Sequence, residues 1–186
     1  MTDRHSVVYI ATCATLAATD IGKLVGLADR AGWQACLMVT PQALNFIDRD
    51  TLEQQTGYPV RHEYKLPGTP SVFPPADGII VAGASFNTLN KWATGITDNL
   101  VLGTVTEAIG LNIPIVLMPF VPAAYAVHPV WSGNLETLQQ MGVTVVPYEP
   151  HQPGTAQQRV LTYPWELLWK VFEDRISAQR KVGQLP

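Results

Sequence analysis

Three short stretches combine small residues and hydroxyls in a way that suits an anion. They are Cys13-Ala14-Thr15, Thr40-Pro41 and Gly83-Ala84-Ser85-Phe86-Asn87-Thr88. Each follows a short apolar, strand-like run and leads into a helical pattern. Unpaired backbone N–H groups at a helix start, together with the positive end of its dipole, favour a phosphate at such places. Ser85, Asn87 and Asp98 are equally good turn and N-cap residues, and would stand there with no ligand at all. From the residues alone both readings stay open: a mononucleotide-like or phosphate-binding site, or ordinary capping.

Other chemistries are disfavoured. No Gly-x-Gly-x-x-Gly follows the first strand-like run, and the chain has no Walker A motif, His-Glu-x-x-His pair or Gly-x-Ser-x-Gly elbow. Six positions after Cys13 stands Thr19 rather than an arginine, which argues against a phosphatase-type thiolate loop. Cys13 and Cys36 make neither a disulfide framework nor a zinc spacing. Buried, inert thiols in a reducing, cytoplasmic compartment fit them best, and no metal site is expected.

The elements that must position these stretches alternate along the chain. Val7–Thr12 reads as a strand buried on both faces, and residues 16–31 as a helix with Gly32 placed to end it. Further strands are expected over 35–39, 58–64, 78–81, 113–118 and 143–148. A small helix follows Thr40-Pro41, and Asp50 three residues before Glu53 resembles a capping box for another. Helices are expected over 88–94, 98–109 and 134–141, while the prolines of 65–75 mark a loop. A polar segment at 149–158 reads as a mobile loop. The last helix, 164–181, has Pro164 suited to its first turn and an apolar stripe of Trp165, Leu168, Trp169, Phe172 and Ile176. That stripe is expected to pack on the domain or on a neighbouring subunit. The alternation predicts a single α/β domain over 1–186, a Rossmann-like three-layer fold with a parallel sheet of about six strands. In such sheets ligands bind beyond the carboxyl ends of the strands.

Composition sets outer bounds. With 186 residues, 47% apolar, and a net charge of −3, the chain reads as an ordinary globular protein. Basic residues are scattered apart from Arg175, Arg180 and Lys181, which read as the solvated end of a helix, so no nucleic-acid partner is expected. Arg4 and His5 precede an apolar run that could pass for a short signal-peptide core. Thr12, Thr15 and Thr19 break it before Asp20, and a buried strand turning into a helix explains it better. No stretch reaches the roughly 18 to 20 apolar residues of a membrane span.

The stretch from Gly83 to Leu100 carries a resemblance. Gly83-Ala84-Ser85-Phe86-Asn87-Thr88, followed by Gly95-Ile96-Thr97-Asp98-Asn99-Leu100, resembles a Pro-Ala-Ser-Ala-Asn-Thr motif with its downstream Gly-Ile-x-Asp-Asn-Leu. Those motifs mark the homo-oligomeric flavin-containing cysteine decarboxylases. Thr15-Leu16-Ala17-Ala18 is similar to that family's Gly-Ser-Ile-Ala-Ala. Val39-Thr40 with Ala43 and Phe46-Ile47 is similar to its Met-Thr-x-x-Ala-x-x-Phe-Ile, and Pro119, His128-Pro129 and Asn134-Leu135 fall at the spacing of its third block. The match covers roughly residues 6 to 148.

The resemblance implies a flavodoxin-like fold, bound FMN and a homo-oligomer built on trimers. It implies that Thr15 and Thr40 help hold the phosphate, and that Ala14 and Asp98 are among the cofactor-binding residues. Gly83, Ala84, Ser85, Asn87 and Thr88 then contact flavin, ribityl chain or phosphate, and Asp98 with Asn99 anchors the next helix. Departures from the pattern bear on the reaction. The family histidine falls here at Gly68 or Thr69, His62 lies too early, and 67–75 contains no histidine. Pro122 replaces an asparagine that grips a substrate carboxylate, and proline has no side-chain donor. Ala14 and Gly83 replace a glycine and a proline, and the loop 151–158 lacks the cysteine of the phosphopantothenoylcysteine decarboxylase flap.

The expected function is therefore FMN-dependent redox chemistry on an unidentified small molecule or peptide. Flavin-dependent cysteine decarboxylation, a non-catalytic flavin-bound partner subunit and flavin prenyl transfer are the alternatives. Phe120, Tyr125 and Trp131 are candidates to line an apolar substrate pocket, and His128 is a candidate proton donor.

Overall fold

The computed structural model describes residues 5–181 and Gly183. The Arg4 flank of the first apolar run and the extreme ends of the expected 1–186 domain lie outside the described residues. Among the described residues the sheet has five parallel strands, β1 (Val7–Thr12), β2 (Gln34–Val39), β3 (Gly78–Ala84), β4 (Ile115–Pro119) and β5 (Thr144–Val145), in the order β2-β1-β3-β4-β5. β1, β2, β3 and β4 are buried along almost their whole length, which is why their sequences are continuous apolar runs rather than alternating ones.

Helices cover both faces. On one, α1 (Gly22–Arg30) and α8 (Trp165–Lys181) set Leu24, Leu168, Trp169 and Phe172 against Ile10, Leu37, Ile80 and Val116. On the other, α3 (Phe86–Ala93), α4 (Leu100–Gly110) and α6 (Val130–Gln140) set Leu89, Trp92, Val105 and Leu138 against Val7, Met38, Val81 and Leu117. Trp165 and Trp169 thus belong to the core, the first of the two placements expected for the stripe on the last helix. Gly78 lets α8 lie on β3: a Cβ there would stand 2.6 Å from the Phe172 ring.

Five strands rather than six result because 58–64 forms no strand. Arg61 alone pairs with β2, donating to the Leu37 carbonyl at 3.0 Å and accepting the Val39 N–H at 2.8 Å. Pro59 has no N–H to extend that pairing, and the following His62 and Glu63 are polar. The expected helix 16–31 is broken into a 3-10 turn, Leu16–Asp20, and α1; Thr19 Oγ1 donates to the Leu16 carbonyl at 2.7 Å and tightens that turn. The helix α2 (Arg49–Thr56) is capped by Asp48, not Asp50: its carboxylate accepts the Thr51 N–H at 3.2 Å. Glu53 instead accepts from Arg49 and from the Val60 N–H. The polar segment 149–158 is not irregular throughout. His151 pairs with the segment around Pro122, and α7 (Ala156–Leu161) begins inside it. The turn α5 (Ala123–Ala126) carries no strong sequence signal.

The chain runs from β1 outward to β2, then returns past β1 to β3. That reversal opens a crevice between the carboxyl ends of β1 and β3, the topological switch point of the sheet.

Candidate functional site

At the switch point the two strand ends are tied together by threonines. Thr12 Oγ1 donates to the Ala82 carbonyl at 2.9 Å, and Thr15 Oγ1 donates to the Gly83 carbonyl at 3.0 Å. Gly83 is a bulge: the β3–β4 register shifts between Ala82 and Ala84, and its φ is +69°. A Cβ there would come 2.8 Å from the Ala17 Cβ and 2.9 Å from Thr15 Oγ1, so glycine is required on both conformational and steric grounds. The Gly83 N–H donates to the Tyr163 hydroxyl at 2.8 Å, and Tyr163 donates onward to the Met118 carbonyl at 2.9 Å. Burial pushes the Tyr163 phenol well above its ordinary range, keeping that donor in place. Cys13 is fully buried beside this junction, and burial pushes its thiol up as well.

The bulge leads directly into α3. Ser85 is its N-cap, accepting the Thr88 N–H at 3.2 Å and donating to Thr88 Oγ1 at 3.0 Å. The N–H groups of Phe86 and Asn87, in the first turn, have no acceptor within the helix. Asn99, not Asp98, caps α4, accepting the Leu102 N–H at 3.1 Å. Asp98 is paired with Lys91, whose hydrogen bond holds its carboxyl below the usual range. Asn134 Nδ2 donates to Asn90 Oδ1 at 2.8 Å and joins α6 to α3.

These elements enclose a cleft of about 780 Å³. Ala14 and Thr40 to Gln42 form one wall, Ser85 to Thr88 with Lys91, Asp98 and Asn99 form the second, and Ala124, Tyr125 and His128 close the third. Of the residues singled out from sequence, Ala14, Thr40, Ser85, Asn87, Thr88, Asp98 and His128 therefore meet in one place. Gly83 and Ala84 are buried and line neither this cleft nor the cavity beside it. Thr15 borders a second cavity of about 270 Å³, which shares Ala14, Ser85, Phe86 and Tyr125 with the cleft.

Some expected residues lie elsewhere. His62 sits beside Glu63, 3.8 Å away, and lines neither cavity. Trp131 lines neither, but stacks on Phe86 at 6.3 Å, while Tyr125 and His128 approach the same ring at 5.3 and 5.6 Å. Phe120 lines the second cavity and Tyr125 lines both. Lys91 and Phe86 were not legible as cleft residues from motif matching. Lys91 was reachable, because it stands one turn after Asn87 on the same face of α3. Among the described residues no cluster of three or more His, Cys, Asp or Glu could hold a metal ion, and no helix is long and apolar enough to cross a membrane.

Fold and site together define a flavodoxin-like α/β protein with an open crevice of about 780 Å³ at its switch point. Residues 1–162 match the family model described as Flavoprotein, and the chain belongs to that family. The coenzyme A biosynthesis bifunctional protein CoaBC of Thermococcus kodakarensis is 29% identical over 154 residues, covering 75% of this chain and 36% of that protein. The CoaBC of Mycobacterium tuberculosis is 27% identical over 143 residues, covering 75% of this chain and 34% of that protein. The chain thus spans about a third of the length of the curated relatives it matches. Among solved structures, the FMN-dependent cysteine decarboxylase TvaF of thioviridamide biosynthesis aligns with a TM-score of 0.75 at 19% identity, covering 94% of this chain and 99% of that one. A PPC decarboxylase variant complexed with pantothenoylaminoethenethiol aligns at 0.68 and 22% identity, covering 90% and 100%. The FMN-binding protein AtHal3 aligns at 0.66 and 22%, covering 90% and 98%. At these identities the structural likeness shows the fold.

Proposed function

We propose that this chain binds FMN in the 780 Å³ cleft and uses it for redox chemistry on a small molecule or peptide. The observation that carries this reading is the convergence of Ala14, Thr40, Ser85, Asn87, Thr88 and Asp98 at the switch point of a flavoprotein-family fold. The residues present suit the two ends of the cofactor. The first-turn N–H groups of α3 and the hydroxyls of Thr40 and Thr88 are donors for a phosphate. Pro41, Phe86 and Tyr125 offer apolar surface to a ring system. The space that a Cβ at Gly83 would fill keeps Thr15 close to the strand end. Bound FMN supplies reversible acceptance of electrons or hydride.

The chain's own residues bind, orient and exclude water. His128 is the candidate proton-holding group on the cleft wall. Its Nδ1 accepts the Val130 N–H at 3.3 Å, so the neutral ring carries its proton on Nε2. Tyr125, Val127 and Val130 are exposed apolar groups on the same side, and a homo-oligomer built on trimers would cover them. Light scattering of the purified protein tests that assembly, and a monomer at micromolar concentration argues against it.

The named activities of TvaF and the CoaBC proteins favour a second reading, cysteine decarboxylation. Two features of this chain weigh against it: Pro122 offers no side-chain donor, and no residue of 67–75 lines the cleft among the described residues. Anaerobic bleaching of the flavin by NADH or NADPH is the outcome expected of the redox reading. A cysteine-ended peptide or phosphopantothenoylcysteine losing the mass of one carbon dioxide would replace it with the decarboxylase reading. A flavin that no donor reduces, with a co-purifying protein, would point to a partner-binding subunit.

A further inference from the structure

The second cavity differs chemically from the main cleft. Its walls are mainly Leu16, Phe46, Phe86, Phe120, Pro122 and Tyr125, with His151 at one side and the hydroxyl residues Thr15 and Ser85 where it meets the cleft. Among the described residues no lysine, arginine, aspartate or glutamate lines it. The main cleft's own cation, Lys91, is already paired with Asp98.

His151 is held in place by backbone pairing rather than by a free loop. Its N–H donates to the Val121 carbonyl at 3.1 Å, and its carbonyl accepts the Ala123 N–H at 2.7 Å. The imidazole lies against Phe120, with ring centroids 5.0 Å apart. Phe120 is itself braced by Tyr148 at 6.0 Å and Tyr163 at 5.9 Å, so the wall is a packed aromatic stack. The chamber therefore joins a packed apolar surface to an imidazole, the hydroxyl protons of Thr15 and Ser85 being already given to the Gly83 carbonyl and to Thr88 Oγ1, and it opens beside Ser85 and Phe86 of the cleft.

We infer that this chamber receives an uncharged, ring-sized apolar group of the substrate, and that His151, whose Nδ1 donates to the Gln152 carbonyl at 3.3 Å, orients it by accepting a hydrogen bond at Nε2 from a hydroxyl group. The inference rests on the main cleft being the flavin site. An ionised carboxylate entering the chamber gives up its water and meets no ammonium or guanidinium in return. A neutral ring gains burial against Phe46, Phe86 and Phe120, and its polar substituent finds the imidazole. His151 is thus a specificity-determining residue that discriminates against carboxylate-bearing ligands.

Two probes matched in their rings, 2-naphthol and 2-naphthoate, are titrated calorimetrically into the protein with FMN added. The expected result is that 2-naphthol binds at least about ten-fold more tightly, the worth of one well-made polar interaction. His151→Phe keeps the ring against Phe120 but removes the hydrogen bond, and is expected to weaken 2-naphthol by about ten-fold. Ala156 lines the chamber but not the cleft, so Ala156→Trp fills the chamber from the side away from Thr40, Asn87 and Lys91, and is expected to abolish 2-naphthol binding while FMN content stays unchanged. Equal or tighter binding of 2-naphthoate overturns the inference, as does undiminished 2-naphthol binding to Ala156→Trp. An unchanged affinity in His151→Phe removes the role assigned to His151. A wild-type protein that takes up no FMN fails the cleft reading instead, and the ratio of the two probes still decides the chemistry of the chamber.

Discussion

The Tyr163 hydroxyl accepts the Gly83 N–H at 2.8 Å, tying the loop before the last helix to the bulge on which the candidate site is built. The same oxygen donates to the Met118 carbonyl at 2.9 Å, so one phenol satisfies a donor on β3 and an acceptor on β4. A proline at residue 83, the residue of the family motif, could make neither this bond nor a φ of +69°. The glycine and the tyrosine therefore belong together.

Tyr163→Phe leaves both partners buried and unsatisfied. The expected cost is about 1–3 kcal/mol, which lowers the melting temperature by roughly 2–4 °C for each kcal/mol. Thermal unfolding followed by circular dichroism measures it, and weaker retention of FMN should accompany it. An unchanged melting temperature would remove Tyr163 from this role.

Gly83→Ala forces a Cβ against Ala17 and Thr15 and strains the backbone as well. Strain alone contributes about 1–3 kcal/mol, and displacement of Thr15 is expected to lose FMN. Gly57→Ala is the control: φ is +71° there, but nothing lies within 4 Å of the added carbon. It should cost only about 1–2 kcal/mol and keep the cofactor. Flavin content of the two variants, measured after identical purification, separates the steric effect from the conformational one.

Stability should fall on acidification in a defined way. Asp48, Glu53 and Asp98 are held below their ordinary values by hydrogen bonds from Thr51, Arg49 and Lys91 respectively. Groups depressed in the folded state contribute stability above their unfolded values, near about pH 4, and lose it as pH falls through the lowered ones. Asp48 and Asp98 are exposed and Glu53 is half-buried, so salt should shrink the effect. Melting temperature against pH should be shallower in Asp98→Asn than in the parent on the acid side only. A difference confined to neutral pH would contradict the assignment.

Burial raises both thiols, Cys36 to about 12, and Cys13 is enclosed without solvent contact. A raised folded value keeps each thiol protonated at pH 8, so neither should react with a disulfide reagent until the chain unfolds. Rapid labelling of the native protein at Cys13 would show that the first strand end is open.

Much of this arrangement was legible in the sequence because the strands are buried on both faces and end in recognisable helix starts. Val7–Thr12 and the run ending at Ala84 are examples, and Ser85 announced both a cap and a candidate ligand contact. It serves as the cap in the structure. What was not legible depends on pairing across the fold. Arg61 alone joins β2, which no local pattern in 58–64 reveals. Asp48 outcompetes Asp50 as a cap because the chain is extended at Asp48 and its carboxylate reaches Thr51. His151 reaches the second cavity only through its backbone pairing with Val121 and Ala123, 28 residues or more away in sequence.

The central claim is that the cleft holds FMN. It is tested most directly by denaturing the purified protein and identifying and quantifying the released chromophore by chromatography. The expected result is FMN in stoichiometric amount with the chain, or uptake to that level when FMN is supplied, with loss of uptake in Gly83→Ala. A colourless protein that leaves the spectrum of added FMN unperturbed would contradict it.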